Sequence, residues 1–122
     1  MHTGRLALAI AAAATLIAAT AACGSSGATT TPPVAGAAVK IAVFHYDPSP
    51  LTVKAGTRIT WTNTDQILHT VTSGTRDHPD GRFDGRLDGV GSSFSVRLTT
   101  PGTYQYHCSR HPGMDASIVV EP

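Results

Sequence analysis

Tyr104-Gln105-Tyr106-His107-Cys108-Ser109-Arg110-His111-Pro112-Gly113-Met114 sets a thiol, an imidazole and a thioether within seven residues, at the end of an alternating run. In an extended strand alternate side chains share a face, so Tyr104, Tyr106 and Cys108 point one way and His107 the other. The thiol then stands inward at a strand end, and His107 is turned away from it. Pro112 fixes φ and Gly113 permits a tight bend, so the chain can bring His111 and Met114 back around the same point. Thiolate and thioether are soft donors and imidazole is borderline. Such a set suits copper better than calcium or magnesium, which take oxygen.

One imidazole is missing from this stretch. His69, thirty-nine residues before Cys108 and beside another strand-like run, supplies it. Two histidines, one cysteine and a weak axial methionine form the trigonal copper site of blue electron-transfer centres. Taken singly, a cysteine at a strand end is a small buried hydrophobe and a methionine fills gaps in a core. The spacing of the four together carries the metal reading.

Outward from the stretch, the chain from residue 39 reads as short β runs. Residues 39–45 alternate loosely, and 51–54 lie between a Pro-Ser-Pro turn and Ala55-Gly56. Residues 57–63 set Ile59 and Trp61 on one face and Thr60 and Thr62 on the other, the period of a half-buried strand. Residues 69–73 follow, then 93–99 with Phe94, Val96 and Leu98 inward, 103–108 and 116–121. Residues 74–92, rich in Asp-Gly pairs, read as a solvated crossover with a short edge strand near Phe83. Their Asp spacing does not fit a calcium loop. After the first 22 residues no ten-residue helical pattern occurs. The expectation is an all-β, Greek-key β-sandwich of seven to eight strands, with Trp61, Phe94, Val96, Leu98, Tyr104, Ile118 and Val119 filling its core.

These motifs resemble the cupredoxin family. The C-x-x-H-x-x-M spacing of Cys108, His111 and Met114 is similar to the short ligand loop of amicyanins; plastocyanins have a longer gap before the methionine. Gly102-Thr103-Tyr104-x-Tyr106, and Ile59-Thr60-Trp61-Thr62-Asn63 leading to His69, extend the resemblance over residues 39–122. It implies a monomer with one type 1 copper, cycling between Cu2+ and Cu+, on His69, Cys108, His111 and Met114. It also implies redox proteins as electron donor and acceptor. Electrons would leave through His111, within an apolar patch built from Leu68, Pro112 and Gly113. The family places Asn after the upstream histidine, and its backbone bonds the cysteine sulfur. Here the residue is Thr70, whose N–H still donates, with Thr70 Oγ1 or Ser109 in place of the amide side chain.

The amino terminus reads as an export signal. In residues 1–22, Arg5 is the basic group, and the uncharged apolar run of seventeen residues behind it is shorter than the roughly 20 that span a bilayer. Cys23 follows Thr20-Ala21-Ala22 in a pattern that resembles a bacterial lipobox, although Thr20 stands where an aliphatic residue is usual. Two outcomes stay open: acylation of Cys23, anchoring the protein to the extracytoplasmic face of the membrane, or cleavage at Ala19-Thr20-Ala21, leaving a soluble periplasmic or secreted protein. Each acyl methylene would contribute about 0.8 kcal/mol to anchoring. Residues 24–38 form an uncharged linker of Gly, Ser, Thr, Pro and Ala, stiffened at Pro32-Pro33, with a coil span of roughly 20 Å.

Composition closes off other classes. The formal charge is +1, and without Arg5 basic and acidic residues balance at eight each. No basic patch offers phosphate contacts to nucleic acid. A catalytic copper protein related to nitrite reductase or the multicopper oxidases would need further histidines, and no His-x-His pair occurs. Three strong protein donors plus a weak thioether leave no open position for substrate, which a catalytic metal keeps. The expectation is therefore an electron carrier and not an enzyme. The alternative is a protein that holds or delivers copper outside the cytoplasm.

Overall fold

The structure, a computed structural model, describes residues 35–122. The expected signal over residues 1–22, Cys23 and residues 24–34 of the linker lie outside the described residues.

Nine strands occur among the described residues: β1 (Ala37–Ala42), β2 (His45–Asp47), β3 (Leu51–Lys54), β4 (Arg58–Asn63), β5 (Leu68–Gly74), β6 (Pro79–Asp88), β7 (Ser93–Arg97), β8 (Gly102–His107) and β9 (Asp115–Glu121). They form two sheets, ordered β2-β1-β4-β7 and β3-β9-β8-β5-β6. The β1/β4 and β3/β9 pairs are parallel and the rest antiparallel. This is the expected all-β sandwich, with more strands than the seven to eight anticipated.

The period-two pattern decides which side chains enter the core. Ile59, Trp61 and Asn63 of β4 are fully buried, while Thr60 and Thr62 between them are only half-buried. Trp61 is the centre of the core, with the rings of Tyr106, Phe94 and Phe83 at 5.5, 5.9 and 6.0 Å. Burying one side chain of the size of Leu87 or Ile118, both at 0% exposure, stabilises the fold by about 1.5–3 kcal/mol. On β9, Ile118 and Val120 face inward and Val119, expected in the core, lies between them on the other face.

Two expectations are corrected. The run over residues 39–45 is not one strand: Val43 and Phe44 adopt φ of 49° and 61° in a two-residue turn, which reverses β1 into β2 with Ala42 opposite His45. Left-handed φ at two residues is what tight hairpins demand, and these side chains supply it without glycine. Residues 74–92 are not a solvated crossover either. They hold β6, at ten residues the longest strand described, paired along β5 from Leu68↔Asp88 to Thr72↔Asp84. Phe83, Gly85 and Leu87 are buried and Arg82, Asp84, Arg86 and Asp88 exposed. The alternation is regular, but its inward glycine and outward charges disguise it as turn composition. Charged outward side chains suit its place at the sheet edge.

Candidate metal centre

Four segments meet at one end of the sandwich: the β4–β5 loop and the start of β5, the end of β8, and the β8–β9 loop. β8 delivers Cys108 inward, continuing the face of Tyr104 and Tyr106, and all three are buried. His107 points away from that group, as expected. It is buried too, and its Nδ1 lies 2.9 Å from the Gly74 carbonyl. β5 delivers His69, whose ring is wholly buried.

The loop after Cys108 closes on itself. Cys108 N–H donates to the Met114 carbonyl at 2.9 Å, and Met114 N–H to the His111 carbonyl at 3.3 Å. Gly113, at φ 81°, makes the bend that an L side chain would strain. The loop thereby returns His111 to the thiol, with Met114 buried at its end.

The donor atoms of His69, Cys108 and His111 lie within 4.8 Å of one another, the one such trio among the described residues. Cys108 Sγ is 3.4 Å from His111 Nδ1 and 3.9 Å from His69 Nδ1. Bonds of about 2.0–2.1 Å to imidazole and 2.3 Å to thiolate, as zinc shows, set donors at trigonal to tetrahedral angles about 3.5–3.8 Å apart. The spacing fits one first-row ion among the three, and the soft, nitrogen-and-sulfur donor chemistry fits copper.

Neighbouring groups fix these donors. His69 Nε2–H donates to Asp65 Oδ2 at 2.9 Å, which leaves Nδ1 unprotonated and aimed at the sulfur. Asp65 also accepts from Val43 N–H at 2.9 Å and Phe44 N–H at 3.4 Å. The Val43 N–H above all, with help from His69 and Phe44, holds this carboxyl below the ordinary carboxylate range. Asn63, fully buried, shapes the loop that carries Asp65: its Oδ1 accepts from Asp65 N–H and its Nδ2 donates to the carbonyls of Ile67 and Leu87. Burial first, with the neighbouring His69 ring and the Arg110 and Arg76 guanidinium groups after it, holds His111 below the usual imidazole range.

Thr70 takes both expected roles. Its backbone N–H donates to Cys108 Sγ at 3.3 Å. Its Oγ1 accepts Ser109 N–H at 2.8 Å and stands 3.1 Å from Ser109 Oγ, tying β5 to the ligand loop.

Three further residues belong to the site. Asp65 orients His69. Phe44 sits edge-on to His111 with centroids 4.9 Å apart, and 5.8 Å from His69. Arg76 reaches the carbonyls of Cys108, Ser109 and His111. Phe44 was hidden inside an apparent strand, and Arg76 inside an apparent solvated loop; neither had a local signal. Phe44 is 48% exposed and shares a surface hollow with His45, His111, Pro112, Gly113 and Met114. The other expected patch member, Leu68, opens β5 half-buried, and Arg110, charged and outside that patch, is exposed on the loop.

Residues 34–121 match the model of the family described as copper binding proteins, plastocyanin/azurin family. The chain is 36% identical over 83 residues to amicyanin-alpha of Methylorubrum extorquens, covering 68% of this chain and 70% of that protein. It is 34% identical to amicyanin of Paracoccus denitrificans, over 68% of this chain but 63% of the relative's length. Among solved structures, a purple cupredoxin from Nitrosopumilus maritimus superposes with a TM-score of 0.63 at 26% identity, over 70% of this chain and 99% of that one. A reduced Cu(I) form of an amicyanin variant superposes with 0.62 at 32% identity, over 70% and 82%.

Proposed function

Because this chain belongs to the plastocyanin/azurin family of copper-binding proteins, with copper as its metal, we propose that it carries single electrons between redox proteins through one type 1 centre. His69 Nδ1, Cys108 Sγ and His111 Nδ1 are the strong donors, and Met114 is the weak axial one. Bound copper supplies the one-electron chemistry, between Cu(II) and Cu(I). The protein's part is to keep the donors still. His69 is held by Asp65, the sulfur by Thr70 N–H, and the loop by its own two backbone bonds.

The convergence of two imidazole nitrogens and one thiol in a buried cluster is the observation that carries this reading. Three strong protein donors with a weak thioether as the fourth would leave no strong open position on the metal, which favours transfer of an electron over binding of a substrate. His111 is the half-buried donor, bordered by Phe44 and Pro112, and is the proposed exit for the electron. Leu68 and Pro112 remain the flanks of that exit patch, now with Phe44 packed on the ring itself. The amicyanin and plastocyanin relatives support redox proteins as partners and an extracytoplasmic setting. The signal over residues 1–22 and acylation at Cys23 give the proposed route there, as a membrane-anchored monomer.

The test is a visible spectrum of the purified full-length chain with one equivalent of copper(II), before and after ascorbate. An intense blue thiolate-to-copper band that bleaches on reduction and returns on oxidation is the expected result. Bound copper without such a band would remove Cys108 from the strong donors and turn the reading towards copper holding. For the anchor, mass analysis of the mature amino terminus should find Cys23 acylated; a free amino terminus elsewhere would make the protein soluble.

A further inference from the structure

The ligand loop is gripped from outside by a side chain that donates no bond to a metal. Arg76 lies two residues beyond β5 and is half-buried. Its Nη2 donates to the carbonyls of Cys108 at 2.6 Å and His111 at 2.8 Å, and its Nη1 to the carbonyl of Ser109 at 3.3 Å. Among the described residues no carboxylate comes within ion-pair distance of it. Its hydrogen bonds go to the loop carbonyls and not to a carboxylate.

The geometry matches what a guanidinium does and an ammonium does not. A rigid planar fork can reach several carbonyls at once, whereas lysine offers a compact charge on a flexible stem. Hydrogen bonds from a charged donor are shorter and roughly twice as strong as neutral ones. The division of labour is clear-cut. Thr70 holds an N–H of the loop, that of Ser109, and Arg76 holds its carbonyls. Two of those carbonyls belong to Cys108 and His111, so a shift of the guanidinium moves the backbone of two donors together. A second consequence is electrostatic. A fixed cation beside the centre favours the state carrying one positive charge fewer.

We propose that Arg76 is a positioning residue of the metal centre, which holds the Cys108–His111 backbone in its donor-presenting shape before metal arrives and biases bound copper towards Cu(I). The second half rests on the copper reading above; the first does not.

The test uses the full-length chain and the variants Arg76→Met and Arg76→Lys. Without metal, amide hydrogen exchange of Cys108 and Met114 is measured against that of Tyr104 and Ile118 in the strands. In Arg76→Met the loop amides should exchange about tenfold faster while the strand amides stay as in the parent. With copper, the ratio of Cu(I) to Cu(II) affinity should fall about tenfold, a drop of about 59 mV in a one-electron potential. Arg76→Lys should keep the parent's potential but not its loop protection. Unchanged loop exchange or unchanged potential in a folded Arg76→Met would overturn the proposal. So would a potential in Arg76→Lys as low as in Arg76→Met, since charge would then not be the cause. A parent chain that gives no blue band would sink the copper reading instead, and the metal-free exchange would still decide whether Arg76 holds the loop.

Discussion

The loop from Cys108 to Met114 and the segment from Thr75 to Asp88 face the same site and differ in almost every respect. The first carries three of the four proposed donors and makes two backbone bonds of its own. The second carries no donor, yet it supplies Arg76, which grips the loop, and β6, which walls the core behind it with Phe83 and Leu87. Chemistry is concentrated in the short loop, and rigidity is imported from the long segment. A loop this small cannot hold a metal geometry alone, because ordering each residue costs about 1–2 kcal/mol in backbone entropy.

The largest effect should come from the donor side of that contrast. Cys108→Ala should abolish the thiolate-to-copper band completely, because Cys108 is the only thiol among the described residues. The fold should survive, since the change removes one small side chain from a core centred on Trp61. Met114→Gln is a milder probe: copper should stay bound with its colour altered and its potential shifted, as expected of a weak axial donor. A blue spectrum unchanged in Cys108→Ala would mean that the donors lie elsewhere.

Next comes the scaffold side. Gly85 is buried in β6, and a Cβ there would overlap the Phe94 ring, whose near edge cannot swing clear. Gly85→Ala should therefore destabilise the metal-free protein by about 1–3 kcal/mol, the cost of overpacking a closed core. Urea denaturation measures it directly. A variant as stable as the parent would mean that β6 is not pressed against β7, and that residues 74–92 behave as the solvated segment their composition suggests.

The same contrast explains what could be read from the chain. Cys108, His111 and Met114 were legible because their spacing is local and their donor atoms are chemically rare. β4, β7 and β8 were legible because apolar and polar side chains alternate without interruption. β6 follows the same alternation, yet a glycine at its central inward position and Asp-Gly pairs beside it carry the composition of a turn. Only pairing with β5 shows that Gly85 is small because Phe94 occupies its space. Phe44 and Arg76 lie 67 and 35 positions from His111, and nothing local marks either as a neighbour. Thr70 stands between these cases: the resemblance pointed to its position, and the structure supplies the bond to Ser109.

That bond gives a smaller test. Thr70→Val removes the Oγ1 that accepts Ser109 N–H, but leaves the backbone N–H on Cys108 Sγ. Stability should fall by about 0.5–1.5 kcal/mol, the net worth of one hydrogen bond, while the blue band should persist. Loss of the band would show that the side-chain tie, and not the backbone donor, keeps the sulfur in place.

The smallest effect concerns Asp65, which does for His69 what Arg76 does for the loop, from the β4–β5 side. Its carboxyl accepts from Val43 N–H, Phe44 N–H and His69 Nε2–H, and these bonds hold it below its ordinary value of 3.8. A carboxyl depressed in the folded state binds fewer protons there than in the unfolded chain. Its contribution to stability is therefore full above the unfolded value and is lost as pH falls through the lower folded value. Asp65→Asn should be less stable than the parent at pH 7, because an amide offers one acceptor oxygen where the carboxylate offers two. The gap between the two should narrow at pH 3, where the parent has begun to lose the same charge. Urea midpoints of both metal-free proteins at the two pH values decide it. A gap as wide at pH 3 as at pH 7 would mean that the amide's shape and not the carboxylate's charge was missed, and that Asp65 holds the Val43–Phe44 turn and His69 by geometry alone.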